Sequence, residues 1–383
     1  MSKKIKIAYL DYSPVFAGAE RVLYTIINNL DRSKYEPYMV FPFPREFHRR
    51  YETLDCEKHY LSPKLTWWHG SEYWKHPLRG TDMLKRFIFG RRLAKYLTEN
   101  GIGILHVNLL RPDCYFWIKP CHDAGIKVIG HYRSQEYEWV SGPKVQRCCD
   151  LILCVSKFSR SHFISKGIFA ESRVLYDSID TGSLQCSLSK QEAKQKLGFP
   201  KDCILLSSVG QLSRHKGHDN AIRAFAKILE RYPNALLYIA GGGDSQYLKD
   251  IAQELNVSNK VILSERQVSN IQEVYRASDI ILSLTKVGEG FGLVPFESSY
   301  IGTPFVAPEF GAITEFVEGD GINLLVDTND VNKIVERIEW ILTHHTEAES
   351  IVAKIQQLIK ERIVPSVMVN NLSKVYDELS LKN

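Results

Sequence analysis

No apolar run in this 383-residue chain is long enough to cross a bilayer, so the sequence offers no candidate for a spanning helix. Its eight cysteines, Cys56, Cys114, Cys121, Cys148, Cys149, Cys154, Cys186 and Cys203, include no C-x-x-C pair. That removes a zinc ribbon and a thioredoxin-like site, and leaves small buried thiols in a reducing compartment as the expectation. No tandem repeat is visible. The opening segment MSKKIKIAYLDYSP is basic, but its apolar stretch is too short for a signal peptide and Asp11 interrupts it. It reads as a first buried strand.

The rest of the composition is that of a globular protein, 44% apolar and 24% charged, with length for two or three domains. The net charge of +5 is unevenly held: residues 1–180 carry 28 Lys and Arg against 19 Asp and Glu, and the remainder is acidic. A basic first half favours an anionic partner, whether a membrane surface, a nucleic acid or a phosphorylated substrate; solubility alone meets it equally well.

Short apolar strands alternate with amphipathic helices. IKIAYL, PYMVFPF, IGILHVN, KVIGHY and LILCVS read as strands, with helices over GAERVLYTIINNL and MLKRFIFGRRLAKYLTENG. After RVLYDSID the pattern lapses into a polar linker with a short helix, TGSLQCSLSKQEAKQKLGFPKD. It then restarts with strands CILLSSVG, ALLYIAGGG, KVILSE and DIILSLT, separated by helices over HDNAIRAFAKILERY, SQYLKDIAQEL and IQEVYRAS. Such alternation implies parallel sheets covered on both faces. The expected fold is α/β: two doubly wound, Rossmann-like domains, 1–180 and 181–364, facing an interdomain cleft. Ligands of such sheets sit at the carboxyl ends of the strands.

The stretch TKVGEGFGLVPFESSY puts Glu289 in a loop after a strand and Glu297 eight residues on, inside a helix that starts near Gly292. Gly290 and Gly292 remove side chains where a ligand would approach the backbone. The N–H groups around Phe291–Val294 open a helix whose dipole favours an anion, and Pro295 fits its first turn. The pattern suits a phosphate held between two hydroxyl-bearing rings, each ring bonded by one carboxylate. Spacing alone leaves open a plain glycine-capped helix with two acids complementing its dipole.

The longer block EGFGLVPFESSYIGTPFVAPEFGAITEFVEGDGINLLV resembles the E-x7-E region of the retaining GT-B glycosyltransferases of glycosyltransferase family 4, the glycosyl transferases group 1. By that resemblance Glu289 binds donor-sugar hydroxyls near the reacting carbon and Glu297 binds the nucleotide ribose. The backbone of Gly290, Phe291, Gly292 and Leu293 holds sugar and diphosphate. SVGQLSRHKGHDNAI resembles the family's G-R-x4-K-G landmark, with Lys216 and Gly217 in place and Gln211 where the diphosphate-gripping arginine belongs. An amide is no substitute for a permanent cation, so either Arg214 takes over or donor affinity is weak. LYIAGGGDSQYL gives Gly241–Gly243 as a tight turn beside the nucleotide, and VILSERQV makes Arg266 a neighbour of the base. In the first half, SPVFAGAERVL sets Gly18 and Ala19 toward the diphosphate, with Glu20 in the first helical turn, and VIGHYRS puts His131 at a strand end near the donor sugar. Ser156 fits a strand end, and Asp177 receives no role. The resemblance also sends the terminal helix, 365–383, back onto the first domain.

The implied reaction is hexosyl transfer from a nucleotide sugar, UDP-linked and with glucose favoured, to a saccharide or lipid-linked acceptor in polysaccharide or glycolipid biosynthesis. Glu289, His131 and Lys216 are its catalytic residues. No D-x-D triplet occurs, so no metal is expected, nor any cofactor beyond the substrate. Expected catalysis holds the acceptor hydroxyl at the anomeric carbon and stabilises the departing diphosphate. Same-face attack and a covalent intermediate on Glu289 both remain open. KLTWWHGSEYWKHPLRG and the basic helix LKRFIFGRRLAKYL fit docking on an anionic leaflet, an acceptor groove, or a loop packed on its own domain. The expected location is cytoplasmic, with peripheral contact at the inner face of the membrane as an option, and no nucleic-acid partner is expected. A sugar-nucleotide epimerase and a non-catalytic sugar-nucleotide-binding subunit are the alternatives.

Overall fold

A computed structural model describes residues 4–13, 16–61, 79–111, 114–133, 143–165, 167, 170–264 and 268–381. The chain forms two compact units, Met1–Ser178 with Pro365–Asn383, and Ile179–Val364.

The first unit holds a parallel seven-stranded sheet in the order β3-β2-β1-β4-β5-β6-β7. Its strands are β1 (Ile5–Leu10), β2 (Tyr35–Phe41), β3 (Glu57–Tyr60), β4 (Ile104–Val107), β5 (Lys127–Tyr132), β6 (Leu151–Cys154) and β7 (Ser172–Val174). The helices are α1 (Gly18–Asn28), α2 (Arg79–Glu99), α3 (Tyr115–Asp123), α4 (Pro143–Gln146) and α5 (Lys157–Ser165). The edge strands EKHY and SRV are short and polar, which is why periodicity passes them over. Ala8 and Leu10 join the core with Phe89, Leu93 and Trp117 of α2 and α3. Gly90 permits that helix pair to close up, since a Cβ there would meet the Phe116 carbonyl oxygen at 2.1 Å.

The second unit repeats the design with six parallel strands, β10-β9-β8-β11-β12-β13. These are β8 (Ile204–Val209), β9 (Ala235–Ala240), β10 (Val261–Leu263), β11 (Ile280–Leu282), β12 (Phe305–Pro308) and β13 (Leu325–Val326). Helices α6 (Lys190–Lys196), α7 (His218–Ile228), α8 (Gln246–Glu254), α9 (Ile271–Ala277), α10 (Leu293–Ile301), α11 (Val331–Thr343) and α12 (His345–Arg362) cover it. Ala221, Ile222, Ala224, Phe225 and Ile228 of α7 are buried at three-to-four spacing, as the sequence periodicity requires. Asp279 opens β11 by accepting from Lys194 Nζ at 2.7 Å and from the Leu205 N–H at 2.8 Å, so one half-buried carboxylate ties β8, β11 and α6 together.

Helix α13 (Pro365–Ser380) belongs to the first unit. It buries Met368, Val369, Leu372, Val375, Tyr376 and Leu379, and Asp377 accepts from the Tyr35 hydroxyl at 2.7 Å. Leu372 is fully buried, so Leu372→Ala is expected to cost the first unit about 2–5 kcal/mol, seen as a lower urea midpoint. An unchanged midpoint would contradict the packing.

Candidate functional site

In the second sheet the strand order reverses between β8 and β11. The loops that leave the carboxyl ends of these neighbours, residues 210–217 and 283–292, therefore emerge side by side at a topological switch point, where open α/β sheets bind ligands. Backbone and side chains staple them together. The Lys286 N–H donates to the His215 carbonyl at 2.8 Å, Lys286 Nζ donates to Asp219 Oδ2 at 2.6 Å, and Thr328 Oγ1 donates to the Thr285 carbonyl at 2.8 Å. Gly217 sits at φ +73°, and a Cβ on it would meet the Leu284 carbonyl oxygen at 1.8 Å. Only glycine allows both that backbone conformation and that approach.

The result of this stapling is an ion pair between Lys216 Nζ and Glu289 Oε1, each side chain about a quarter exposed. Residues 73 apart in sequence are thus joined at the mouth of the switch point. Helix α10 begins three residues after Gly290, with Gly292 in the left-handed region as its N-cap and no side chain capping it. Leu293 and Val294 are half-buried at its start, so the positive end of α10 opens beside Glu289. Phe291 turns inward and stacks on Phe296 with ring centroids 4.7 Å apart, which anchors the loop to the core. Glu297 lies within α10, 3% exposed, and its Oε2 accepts from the Tyr275 hydroxyl at 2.6 Å.

The residues flanking this pair are held by a second set of contacts. Gln211 is exposed, and its backbone carbonyl accepts from His218 Nε2 at 3.1 Å. Arg214 lays its guanidinium over the Tyr247 ring, 4.9 Å from the centroid. Where the sequence suggested a tight turn at Gly241–Gly243, the chain runs on beside Gly210–Leu212. Leu212 N–H donates to the Gly242 carbonyl at 2.9 Å, and Leu212 pairs with Gly243 in a parallel bridge. Gly241 is there because a Cβ would meet the Gly210 carbonyl oxygen at 1.7 Å. Arg266 lies outside the described residues, as does most of the tryptophan-rich segment KLTWWHGSEYWKHPLRG.

In the first unit the start of α1 is already occupied by its own acid. Glu20 is buried, and its Oε2 accepts from the Ala17 N–H at 2.8 Å, while Gly18 and Ala19 are half-buried on the same turn. Burial pushes the Glu20 carboxyl up, and burial together with the Glu20 charge pushes Asp11 up to about 7. His131 is fully buried in β5. Its Nδ1 lies 3.1 Å from Arg133 Nη2 and 3.3 Å from His106 Nε2, and Arg133 pairs with Asp177. Arg133 and Asp177 were not read as a pair from the sequence. The only signal for them was an arginine two residues past a strand histidine, in VIGHYRS. Ser156 is buried and its hydroxyl accepts from the Ser159 N–H at 2.9 Å, a local helix cap for α5.

Comparison with known proteins gives two family matches, glycosyltransferase family 4 over residues 16–183 and glycosyl transferases group 1 over residues 189–357. A glycosyltransferase of Methanocaldococcus jannaschii is 30% identical over 217 residues, covering 55% of this chain and 51% of that one. A D-inositol 3-phosphate glycosyltransferase of Corynebacterium jeikeium is 35% identical over 149 residues, covering 37% and 35%. The matched part of this chain thus spans about half or less of these curated relatives. Among solved structures, HepE of Anabaena in complex with UDP superimposes with a TM-score of 0.81 at 19% identity, over 98% of this chain and 100% of that one. A glycosyltransferase of Rickettsia africae gives 0.80 at 16% identity, over 99% of each chain. At such identities the likeness concerns the fold, which is GT-B.

Two outcomes follow from the loop geometry. Gly217→Ala forces a Cβ into the Leu284 carbonyl at a positive φ, so it is expected to destabilise by at least about 1–3 kcal/mol in thermal or urea unfolding. A wild-type midpoint would contradict the stapling. Burial holds the His218 imidazole down from 6.5 to about 4. Below pH 6.5 the unfolded chain therefore binds a proton that the folded one refuses, and stability present above 6.5 is lost as pH falls toward 4. His218→Asn is expected to flatten that part of the stability–pH curve, and an identical slope would contradict the buried neutral imidazole.

Proposed function

Starting from a chain that belongs to the glycosyl transferases group 1 and glycosyltransferase family 4, we propose a retaining glycosyltransferase that moves a hexose from a nucleotide sugar to a saccharide or lipid-linked acceptor. The observation that carries this reading is the Lys216–Glu289 pair set beside the start of α10 at the second sheet's switch point. A sugar nucleotide presents a diphosphate next to a hydroxylated ring. Lys216 and the α10 amides suit the first, and Glu289 suits the second. Donor binding then exchanges one ion pair for two better-matched partners: Lys216 turns to the diphosphate and Glu289 accepts from sugar hydroxyls.

HepE of Anabaena has been solved with UDP, with UDP and glucose, and with UDP-glucose, which supports UDP-glucose as the donor to test first. Glu297, bonded on one oxygen by Tyr275, is assigned to the ribose. Arg214 is assigned to the diphosphate in place of the absent arginine at Gln211, because its stacking on Tyr247 holds a permanent cation on the same loop as Lys216. The chemistry asked of the chain is charge stabilisation and positioning. As the anomeric C–O bond to the diphosphate breaks, positive potential from Lys216, Arg214 and α10 meets the charge on the leaving oxygen. The acceptor hydroxyl attacks on the same face and passes its proton to that oxygen, so the proposed reaction uses no metal. Among the described residues no helix is long and apolar enough to cross a membrane. The exposed Leu84 and Phe87 on the basic helix α2 support a peripheral contact with a lipid surface, which would suit a lipid-linked acceptor in polysaccharide or glycolipid assembly at the cytoplasmic face.

The test is a donor screen followed by transfer assays. Nucleotide release from UDP-glucose is expected to depend on an added acceptor. Glu289→Ala is expected to lower turnover by about 10²-fold or more while largely sparing UDP binding, and Glu297→Ala to weaken UDP binding with the smaller effect on kcat. Wild-type rates in both variants would overturn the assignment. UDP bound without turnover across a wide acceptor panel would favour a binding subunit.

A further inference from the structure

Two features of the second unit are assigned above to the donor's diphosphate, the Lys216 ammonium and the start of α10. One side chain of the protein engages both. Glu289 Oε1 pairs with Lys216 Nζ. Its other oxygen, Oε2, packs over Gly292, the N-cap of α10, where a Cβ would stand 3.2 Å from it. No side chain caps that helix, so the carboxylate lies at a positive helix end that no capping group neutralises. Lys216 is committed in the same way. Its stem runs past the end of β8, with Cδ 3.9 Å from where a Cβ on Gly210 would be. The other lysine and arginine of the two loops have partners of their own: Lys286 pairs with Asp219 at 2.6 Å, and Arg214 lies over the Tyr247 ring.

The backbone around Glu289 is fixed, which leaves the side chain as the part that can answer a ligand. The Lys286 N–H bond to the His215 carbonyl holds the chain before it, and the stacking of Phe291 on Phe296 holds it after. Across the loop, a Cβ on Gly311 would stand 3.6 Å from the Glu289 carbonyl oxygen. A glutamate side chain about a quarter exposed turns between staggered rotamers without moving that backbone. A nucleoside diphosphate and its sugar conjugate then meet this carboxylate differently. The conjugate brings hydroxyl donors. The free diphosphate brings none, and its terminal phosphate, no longer esterified to a sugar, loses a second proton at about pH 6. Like charges a few ångströms apart near a protein surface lower affinity by about tenfold or more.

We propose that Glu289 is an internal competitor of the diphosphate, which selects the sugar-loaded nucleotide against the spent one and drives the spent one out. The inference rests on the donor reading of this site and adds a second task for the same carboxylate. With a sugar present, its hydroxyls hold Glu289 away from Lys216 and leave the ammonium to the diphosphate. Once the sugar has been transferred, Glu289 has lost those donors and faces a phosphate of higher charge. It then returns to Lys216 and to the start of α10, the two groups that hold the product.

Calorimetric titration of the full-length protein with uridine, UDP and UDP-glucose tests this, in the wild type and in Glu289→Gln, which keeps the size of the side chain and removes its charge. The wild type is expected to bind UDP-glucose more tightly than UDP. Glu289→Gln is expected to bind UDP about tenfold more tightly than the wild type does, with uridine, which has no phosphate, bound equally by both. A carboxylate that served the sugar contact alone would leave UDP affinity where it was, so an unchanged or weaker UDP affinity in Glu289→Gln overturns the inference. So does a gain for uridine equal to that for UDP. A wild type that holds UDP more tightly than UDP-glucose overturns it whether or not the variant folds. In each of these cases nucleotide still binds and the donor reading stands. A wild type that binds neither UDP nor UDP-glucose overturns the donor reading, and this inference with it.

Discussion

The ion pair between Lys216 and Glu289 depends on where a parallel sheet reverses its strand order. A doubly wound sheet leaves two carboxyl-end loops adjacent at that point, and here one loop carries a cation and the other an anion. Neither would be fixed without the glycines. Gly217 lets the first loop touch the backbone of the second, and Gly292 lets the second turn into α10. The pair is partly exposed, each side chain by about a quarter, so its own contribution to stability is small. Its significance is chemical: two opposite charges already face the space in which a diphosphate and a sugar would separate them.

The first unit solves a different problem. Its core holds ionisable groups that would cost several kcal/mol each if left charged and alone. Burial holds His106 and His131 below their ordinary values, and Arg133 is matched by Asp177. The matching reaches from the sheet to α13 through Tyr376, so the last helix of the chain is bonded to the same network as the strand-end histidine. Glu20 at the start of α1 follows the same economy, since it satisfies the helix end with an internal carboxylate.

Much of this was legible in the sequence, and the boundary of legibility is physical. The two sheets follow from alternating apolar runs and amphipathic helices, because that pattern has few ways to bury itself. The Glu289 loop was legible because glycines, acids and a helix start fall within sixteen residues. Lys216 was legible only through its family likeness, since a lone loop lysine is ordinary. What stayed hidden is whatever depends on distant pairing. Arg133 and Asp177 are 44 residues apart, and His106 and Tyr376 are 270 apart, so no local period reports them. Tyr275, which meets Glu297 from the preceding helix, is another such case. Gly241 looked like a turn glycine because sequence shows a glycine's freedom but not the Gly210 carbonyl packed against it.

The claim at the centre of this account is that a nucleotide sugar replaces the Lys216–Glu289 contact with itself. A crystal structure with UDP-glucose bound tests it most directly. The account predicts the diphosphate against Lys216 Nζ and the first amides of α10, with the hexose hydroxyls on Glu289 and the ion pair broken. A ligand bound elsewhere, with Lys216 and Glu289 still joined, would contradict it.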